Sequence, residues 1–486
     1  MGNWLSWTAF AAFASIALHV GVVAIVTVRV LSKRRPTGVT VAWLLLVVPF
    51  PLLGGFVYVL VGETWLSGRR SKRNAQVAED LLKPLELMRQ RFGVSRAFEH
   101  PAAEAIAQLG IQGGMSPAME GNRVRIIGTA AESFDALKQD IESAQESCDL
   151  LYYIWYPAGR VLEITDALIR AEQRGVQCRV MVDAVAGKNL LKSEWAARMR
   201  EAGVEIRASL PVNFLRGSLH RVDIRNHRKL AVIDKKVAYT GSLNMADPQH
   251  FKKNEGFGAW VDLTARVEGP SAALLDEVFE IDWNMEVSKH EHPDLDPASI
   301  KRVAEQVVQI VPSGPGQSQS TLFHMLSAAV HGAKERLILT TPYFVPDESF
   351  TTGLIAAALR GVDTTVVVPS KVNGLIVRYA SHAYYDDLLD VGVKVCLYDA
   401  GLLHAKTVTV DEDVAVIGTV NIDRRSFWLN YELSMVLHGK EAVRSLIDVQ
   451  KEYVSNSTRL GDTDWVRRSS LRRFAENAAQ LFSPIL

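Results

Sequence analysis

The stretch His227-Arg228-Lys229-Leu230-Ala231-Val232-Ile233-Asp234 returns in outline, in the second half of the chain, as His404-Ala405-Lys406-Thr407-Val408-Thr409-Val410-Asp411. Both copies read H-x-K-x4-D. The register holds downstream. Gly241, Ser242 and Asn244 follow His227 at offsets +14, +15 and +17, and Gly418, Thr419 and Asn421 follow His404 at the same offsets. Glu255 and Glu432 also share an offset, +28, from their histidines. Agreement at seven positions marks a duplicated unit, and a repeat of this length constrains the architecture before any local reading.

The flanks repeat more loosely. Residues 124–128 and 307–311 read as short strands, each followed by a helical apolar spacing: Phe134, Leu137, Ile141 in the first copy and Leu322, Met325, Leu326, Val330 in the second. Apolar strands follow at 150–156 and 337–344, then helices stopped by Gly175 and Gly361, then strands at 179–182 and 365–368. Strands alternating with helices predict an α/β class with two tandem domains and mixed sheets. The domains are placed at 120–290 and 303–460, joined by a linker at 290–297. A linker region at 67–119 precedes them, and a basic segment at 461–486 follows.

Residues 1–28 and 36–62 carry no Asp, Glu, Lys or Arg. Each run exceeds the ~20 apolar residues that a spanning helix needs. Trp4, Trp7, Trp43, Tyr58 and Trp65 lie near the run ends, where interfacial aromatics sit. The expectation is a two-helix membrane anchor over 1–66, with Pro49, Pro51, Gly54 and Gly55 able to kink the second helix or make it partly re-entrant. Charge does not orient it. Arg29, Lys33, Arg34 and Arg35 lie between the runs, and Arg69, Arg70, Lys72 and Arg73 follow the second. The segment from Met1 to Asn74 holds eight basic side chains and one acid, so the zero overall charge hides a net −7 in the remainder. Such a body does not suit nucleic acid. Cys148, Cys178 and Cys396 share no metal-ligand spacing.

On a strand, the His and Lys of H-x-K leave the same face. Two facing copies offer two imidazoles and two ammoniums to one pocket. That set suits a phosphodiester. Lys229, Lys406, Asn244 and Asn421 can hold its oxygens, one histidine can attack phosphorus, and the other can protonate the leaving oxygen. Each imidazole needs a carboxylate to fix its tautomer, and Glu255 and Glu432 are the candidates. Asp234 and Asp411 stand at an odd offset from their histidines, so a structural hydrogen-bonding role competes with direct chemistry. No metal and no cofactor is called for.

The doubled pattern resembles that of the phospholipase D superfamily. With its N-terminal apolar runs the chain is similar over its full length to bacterial cardiolipin synthases. Tyr152-Tyr153-Ile154-Trp155, Thr341-Pro342-Tyr343-Phe344-Val345-Pro346 and Gly418-Thr419-Val420-Asn421-Ile422-Asp423 carry the likeness. The resemblance implies transfer of a phosphatidyl group between two phosphatidylglycerols, giving cardiolipin and glycerol. It implies one joint site of His227, Lys229, Asp234, His404, Lys406 and Asp411, with His227 as nucleophile. Ser242, Asn244, Glu255, Thr419, Asn421 and Glu432 would bind phosphate or orient the site. It also implies a bacterial inner-membrane protein, multi-pass, with its catalytic domains on the cytoplasmic face. The alternative is a membrane-bound phospholipase D that releases phosphatidic acid. Two surfaces could meet an anionic membrane. One is a loop with Phe214, Leu215, Arg216, Leu219, Arg221 and Arg225. The other is a C-terminal helix with Arg467, Arg468, Arg472 and Arg473 and apolar Leu471, Phe474, Ala478 and Leu481, unless that apolar face packs on the body.

Overall fold

The computed structural model describes all residues except 1, 34–36, 63–67, 212–222, 254, 288–294, 317–318, 373, 462–464, 466–467 and 484–486. Arg34, Arg35, Trp65, Phe214, Leu215, Arg216, Leu219, Arg221, His290 and Arg467 therefore lie outside the described residues, as do the side chains of Trp4, Arg69 and Arg70. The chain divides into an N-terminal unit, up to Gly68, and a main unit.

In the N-terminal unit the first apolar run is one helix, Gly2–Leu31, whose 30 residues reach ~45 Å and exceed a bilayer core. The second run does not form a single spanning helix. It breaks into Thr37–Val47 and Pro51–Val61, each 11 residues and so only ~16 Å long. Pro49 and Pro51 supply the break, because proline lacks the N–H that a continuing helix requires. Gly54 lets the two pieces turn back onto each other, since a Cβ there would stand 2.8 Å from Val47 Cα. The expected helix pair is corrected to one long helix and a short helical hairpin.

The main unit is built on one 15-stranded sheet. Its two halves repeat one strand order. From the centre outward the first half runs Met119–Ile127, Thr264–Glu268, Val237–Gly241, Lys229–Ile233, Ser147–Tyr152, Gln177–Asp183 and Glu205–Ser209. The second runs Gln306–Ser313, Glu432–His438, Val414–Gly418, Thr407–Val410, Arg336–Thr340, Asp363–Pro369 and Lys394–Tyr398, with Ser457–Arg459 added at the edge. Met119–Ile127 and Gln306–Ser313 pair antiparallel at the centre and fuse the halves. The outer strands of each half are parallel and the inner ones antiparallel, so the sheet is mixed.

Helices cover both faces. Along Lys229–Ile233 successive side chains alternate between two cores. Leu230 and Val232 join a core shared by both halves beneath helices Pro270–Val287 and Lys440–Ser455. Ala231 and Ile233 face a core private to the first half. The region read as a linker, 67–119, is instead two helices, Gly68–Phe92 and Pro101–Gln112. They bury Met88, Phe92, Ala102 and Ile106 in the cores of the main unit, and these contacts hold them in place.

Candidate active site

The carboxyl end of strand Ser147–Tyr152 leads into Tyr153, and that of Arg336–Thr340 leads to Tyr343. Both tyrosines line one pocket of about 310 Å³, together with His227, His404, Asn244 and Asn421. Open α/β sheets place ligands at the carboxyl ends of their parallel strands for the same topological reason. The motif strands run the other way, so His227 and His404 sit just before their amino ends, at the same edge.

Each histidine is held by the opposite half. The segment before His227 runs beside Tyr431, and the His227 amide donates to the Tyr431 carbonyl at 2.8 Å. The next residue is Glu432, whose carboxylate oxygens lie 2.9 and 3.1 Å from His227 Nδ1. The second half mirrors this. Leu402–Leu403 pairs with Trp260–Val261, and the His404 amide donates to the Val261 carbonyl at 2.7 Å. The next residue is Asp262, 2.7 Å from His404 Nδ1. A carboxylate on Nδ1 leaves Nε2 as the free nitrogen of each ring.

Further contacts fix the carboxylates. Thr419 donates to Glu432 and accepts from the Leu433 amide at 2.9 Å. Ser242 takes the same place beside Asp262, accepting from the Leu263 amide at 3.0 Å. Ser242 and Thr419 thus hold the two carboxylates in place, the orienting task among those expected of them. Aromatic rings wall the imidazoles, Tyr153 edge-on to His227 at 4.8 Å and Trp260 beside His404 at 4.4 Å between centroids.

Lys229 and Lys406 are buried, and each folds its ammonium back to the carbonyl of its own histidine, at 2.7 Å for Lys229. Burial pulls Lys229 down to about 8 and Lys406 down to about 7, the latter helped by repulsion from Lys229. Burial likewise lowers both imidazoles, His404 to about 3 with Lys406 adding to the effect. Burial pushes the Glu432 carboxyl up, but its pairing with His227, the nearby Lys229 charge and the Thr419 hydrogen bond together outweigh it and lower the group; pairing with His404, the Lys406 charge and Ser242 do the same for Asp262. Asn244 accepts from the Ile154 amide at 3.2 Å, while its Nδ2 has no hydrogen-bond partner among the described residues. A buried donor left unpaired at a pocket wall is a ready contact for an anionic oxygen.

Three expected site residues are not brought to the pocket. Glu255 is exposed and faces Lys252 at 3.5 Å. Asp234 and Asp411 sit at the far ends of the motif strands, at φ 51° and 52°. Asp234 accepts from the amides of Gln145, Glu146 and Ser147. Asp411 accepts from those of Lys334, Glu335 and Arg336, and from His100 Nε2 at 2.7 Å. Each clamps the start of the neighbouring strand, which is a structural task. Among the described residues one group of acids has metal-like spacing, Asp149, Asp276 and Glu280. It lies toward those same far ends, and Arg179 already bridges Asp149 at 2.6 Å and Glu280 at 3.2 Å.

Residues 137–283 and 326–453 match the family described as cardiolipin synthase, PLD-like domain, and 21–63 match phospholipase D-nuclease N-terminal. Cardiolipin synthase A of Proteus mirabilis (strain HI4320) is 37% identical over 464 residues, covering 95% of this chain and 96% of that one. The protein of the same name from Yersinia pseudotuberculosis serotype O:1b (strain IP 31758) is also 37% identical, over 469 residues. The chain belongs to the cardiolipin synthase family. A crystal structure of phosphatidylserine synthase from Haemophilus influenzae Rd KW20 superposes with TM-score 0.59 at 14% identity, covering 78% of this chain and 99% of that one, and shows the shared fold.

Within this cardiolipin synthase framework, Asp262 is the residue that sequence spacing missed. Asp262 stands at offset +20 from Ser242, whereas Glu432 stands at +13 from Thr419. Seven extra residues in the first copy carry the true carboxylate onward, and Glu255 falls by accident at the unshifted offset. The available signal was local. Asp262-Leu263-Thr264 and Glu432-Leu433-Ser434 both read acid, Leu, hydroxyl, at the start of matching strands.

Proposed function

We propose that the chain transfers a phosphatidyl group from one phosphatidylglycerol to another, releasing glycerol and forming cardiolipin. The crossed pairing of His227 with Glu432 and His404 with Asp262 supports this most directly, because it orients two imidazoles in one pocket, one to attack phosphorus and one to move the proton. His227 Nε2 attacks phosphorus while Glu432 accepts its Nδ1–H. The P–N bond forms, the P–O bond to glycerol breaks, and His404 Nε2–H gives its proton to the departing oxygen. A hydroxyl of the second phosphatidylglycerol then loses its proton to His404 and attacks phosphorus, and His227 leaves. One phosphodiester replaces another, so the reaction runs near balance and in both directions. Lys229 and Lys406 supply the positive charge that the five-coordinate phosphorus needs. Burial, with repulsion from Lys406 added, lowers His404, and a bound phosphodiester anion favours its charged form.

The incoming lipid adds a second phosphate, and Arg225, Lys252 and Arg425 at the pocket wall suit it. The N-terminal unit supports residence in a bacterial inner membrane. If Gly2–Leu31 spans and the hairpin re-enters, the basic groups at 29–35 and 69–73 emerge on one side, and the positive-inside rule makes that side cytoplasmic. The test is to give the purified chain phosphatidylglycerol and separate the products. Cardiolipin with free glycerol supports the transfer. Phosphatidic acid shows water as acceptor and favours the hydrolase.

A further inference from the structure

The C-terminal helix Ser470–Gln480 is mounted inside out. Its inward face is Glu476 and Ala479. Glu476 is held by Arg468 at 3.2 Å, by Arg472 at 3.1 Å and by His382 Nδ1 at 3.2 Å. Those bonds leave the apolar stripe facing away from the protein. Leu471 is 77% exposed, Phe474 71%, and the following Leu481 and Phe482 80% and 50%. Among the described residues, Leu471, Phe474 and Leu481 do not pack on the body, the alternative raised from sequence. The polar contacts determine which face turns out, so the exposure is built in.

The helix it packs on, Leu375–His382, repeats the pattern. Leu375 and Ile376 are 64% and 51% exposed, and the next residue, Val377, lines the catalytic pocket. Arg378, Arg472 and Arg473 are exposed on the same two helices. Large exposed apolar side chains mixed with arginines, continuous with a pocket mouth, are the composition of an interfacial membrane contact.

We propose that helices Leu375–His382 and Ser470–Gln480 form a docking surface that inserts into the headgroup layer of an anionic bilayer and sets the pocket mouth at the level of its lipids. The proposal rests on the phosphatidyl-transfer reading only for its purpose, since lipid contact can be measured without turnover. Full-length protein carrying Phe474→Cys is labelled with an environment-sensitive dye; Cys148, Cys178 and Cys396 are buried and do not compete. It is reconstituted into phosphatidylcholine vesicles with and without phosphatidylglycerol, containing spin-labelled lipid as quencher. Quenching and a blue shift are expected with phosphatidylglycerol, and neither for a dye on Lys236→Cys, which the same anchor holds. Absence of quenching at Phe474→Cys overturns the proposal, and equal quenching in pure phosphatidylcholine overturns its anionic part. A blue shift without lipid, with a doubled mass in solution, assigns the face to a second copy instead. Leu471→Glu with Phe474→Glu should cut activity on vesicles about tenfold and leave activity on dispersed short-chain lipid unchanged. Equal loss on both substrates overturns the docking role. A quenched dye on a protein that makes no cardiolipin sinks the enzymatic reading alone.

Discussion

The nitrogen that reacts at each histidine is chosen by a residue from the other half of the chain. Glu432 and Asp262 fix the Nδ1–H tautomer, so removing their charge while keeping their shape isolates that task. Glu432→Gln and Asp262→Asn should each lower the rate of cardiolipin formation by about 10²- to 10⁴-fold, the range for an imidazole that loses its orienting carboxylate. Glu255→Gln should leave the rate within about twofold, because exposed single changes act weakly. Initial rates on phosphatidylglycerol check all three, and a large loss in Glu255→Gln would return that residue to the site. The lysines give a second handle. In the proposed mechanism their charged forms stabilise the phosphate, and these exist below their lowered pKa values, about 7 for Lys406 and about 8 for Lys229. kcat/KM should therefore fall as pH rises through 7 to 8. The limb in kcat should lie at higher pH, since bound phosphodiester favours the charged lysines. A profile flat from pH 6 to 9 would show that neither lysine titrates there; that window brackets the values about 7 and about 8.

At the scale of elements, the two H-x-K-x4-D strands are organised at both ends. One end presents His to the pocket with Lys buried behind it, and the other plants Asp234 or Asp411 under the start of the adjacent strand. Burial pushes the Asp411 carboxyl up, but three backbone amides and His100 together pull it below the usual carboxylate range. Its contribution to stability is present above the unfolded pKa near 4 and is lost as pH falls through the lowered value. Asp411→Ala should cost about 3 kcal/mol of unfolding free energy, because four donors lose a buried partner. Specific activity per folded molecule should survive, as calorimetry beside active-site titration would show; lost activity at unchanged stability would place Asp411 in the chemistry. This division of labour was half legible. The strands announced themselves through the repeated motif and its shared register, and the odd offset of the aspartates already pointed off the catalytic face. Which acid meets which histidine was hidden, because the pairing crosses 205 residues for His227 and 142 for His404, and an insertion displaced one partner. Helices Gly68–Phe92 and Pro101–Gln112 were hidden for another reason: the tertiary partners that bury Met88, Phe92, Ala102 and Ile106 lie far along the chain, in cores that no local pattern reveals. The second apolar run read as a span because hydropathy ignores backbone breaks; Pro49 and Pro51 carried the correction. A reporter fused to the N-terminus should face away from the cytoplasm, and one fused after residue 61 should face into it. The opposite result at the N-terminus would restore two complete crossings.

The whole molecule follows from fusing two copies edge to edge. The central pair, Met119–Ile127 with Gln306–Ser313, relates the halves by an approximate twofold axis, and helices Pro270–Val287 and Lys440–Ser455 bury one continuous core across the seam. The twofold carries each histidine to the other half's carboxylate. A half on its own would bury Glu432 or Asp262 without its imidazole, at a cost of about 3–5 kcal/mol for a stranded charge. Neither half should therefore hold a working site. The same contacts lie within a single chain, which makes the site self-contained. His227→Ala and His404→Ala proteins should each be inactive, and mixing them should restore nothing. Each chain in the mixture still lacks one nitrogen of its own pocket, and the fused sheet prevents exchange of halves. In the proposed mechanism the two histidines act in sequence on one phosphorus, so the double variant should be no worse than the worse single one. Labelled phosphatidylglycerol distinguishes their tasks. In His404→Ala the first transfer can proceed slowly, because glycerol leaves without its acid, but no base then activates the second alcohol. Label should accumulate on His227 through an acid-labile, base-stable bond. Label on His404 in the His227→Ala protein would exchange the two roles and leave the reaction intact. Activity regained on mixing the single variants would instead place the working site between two chains.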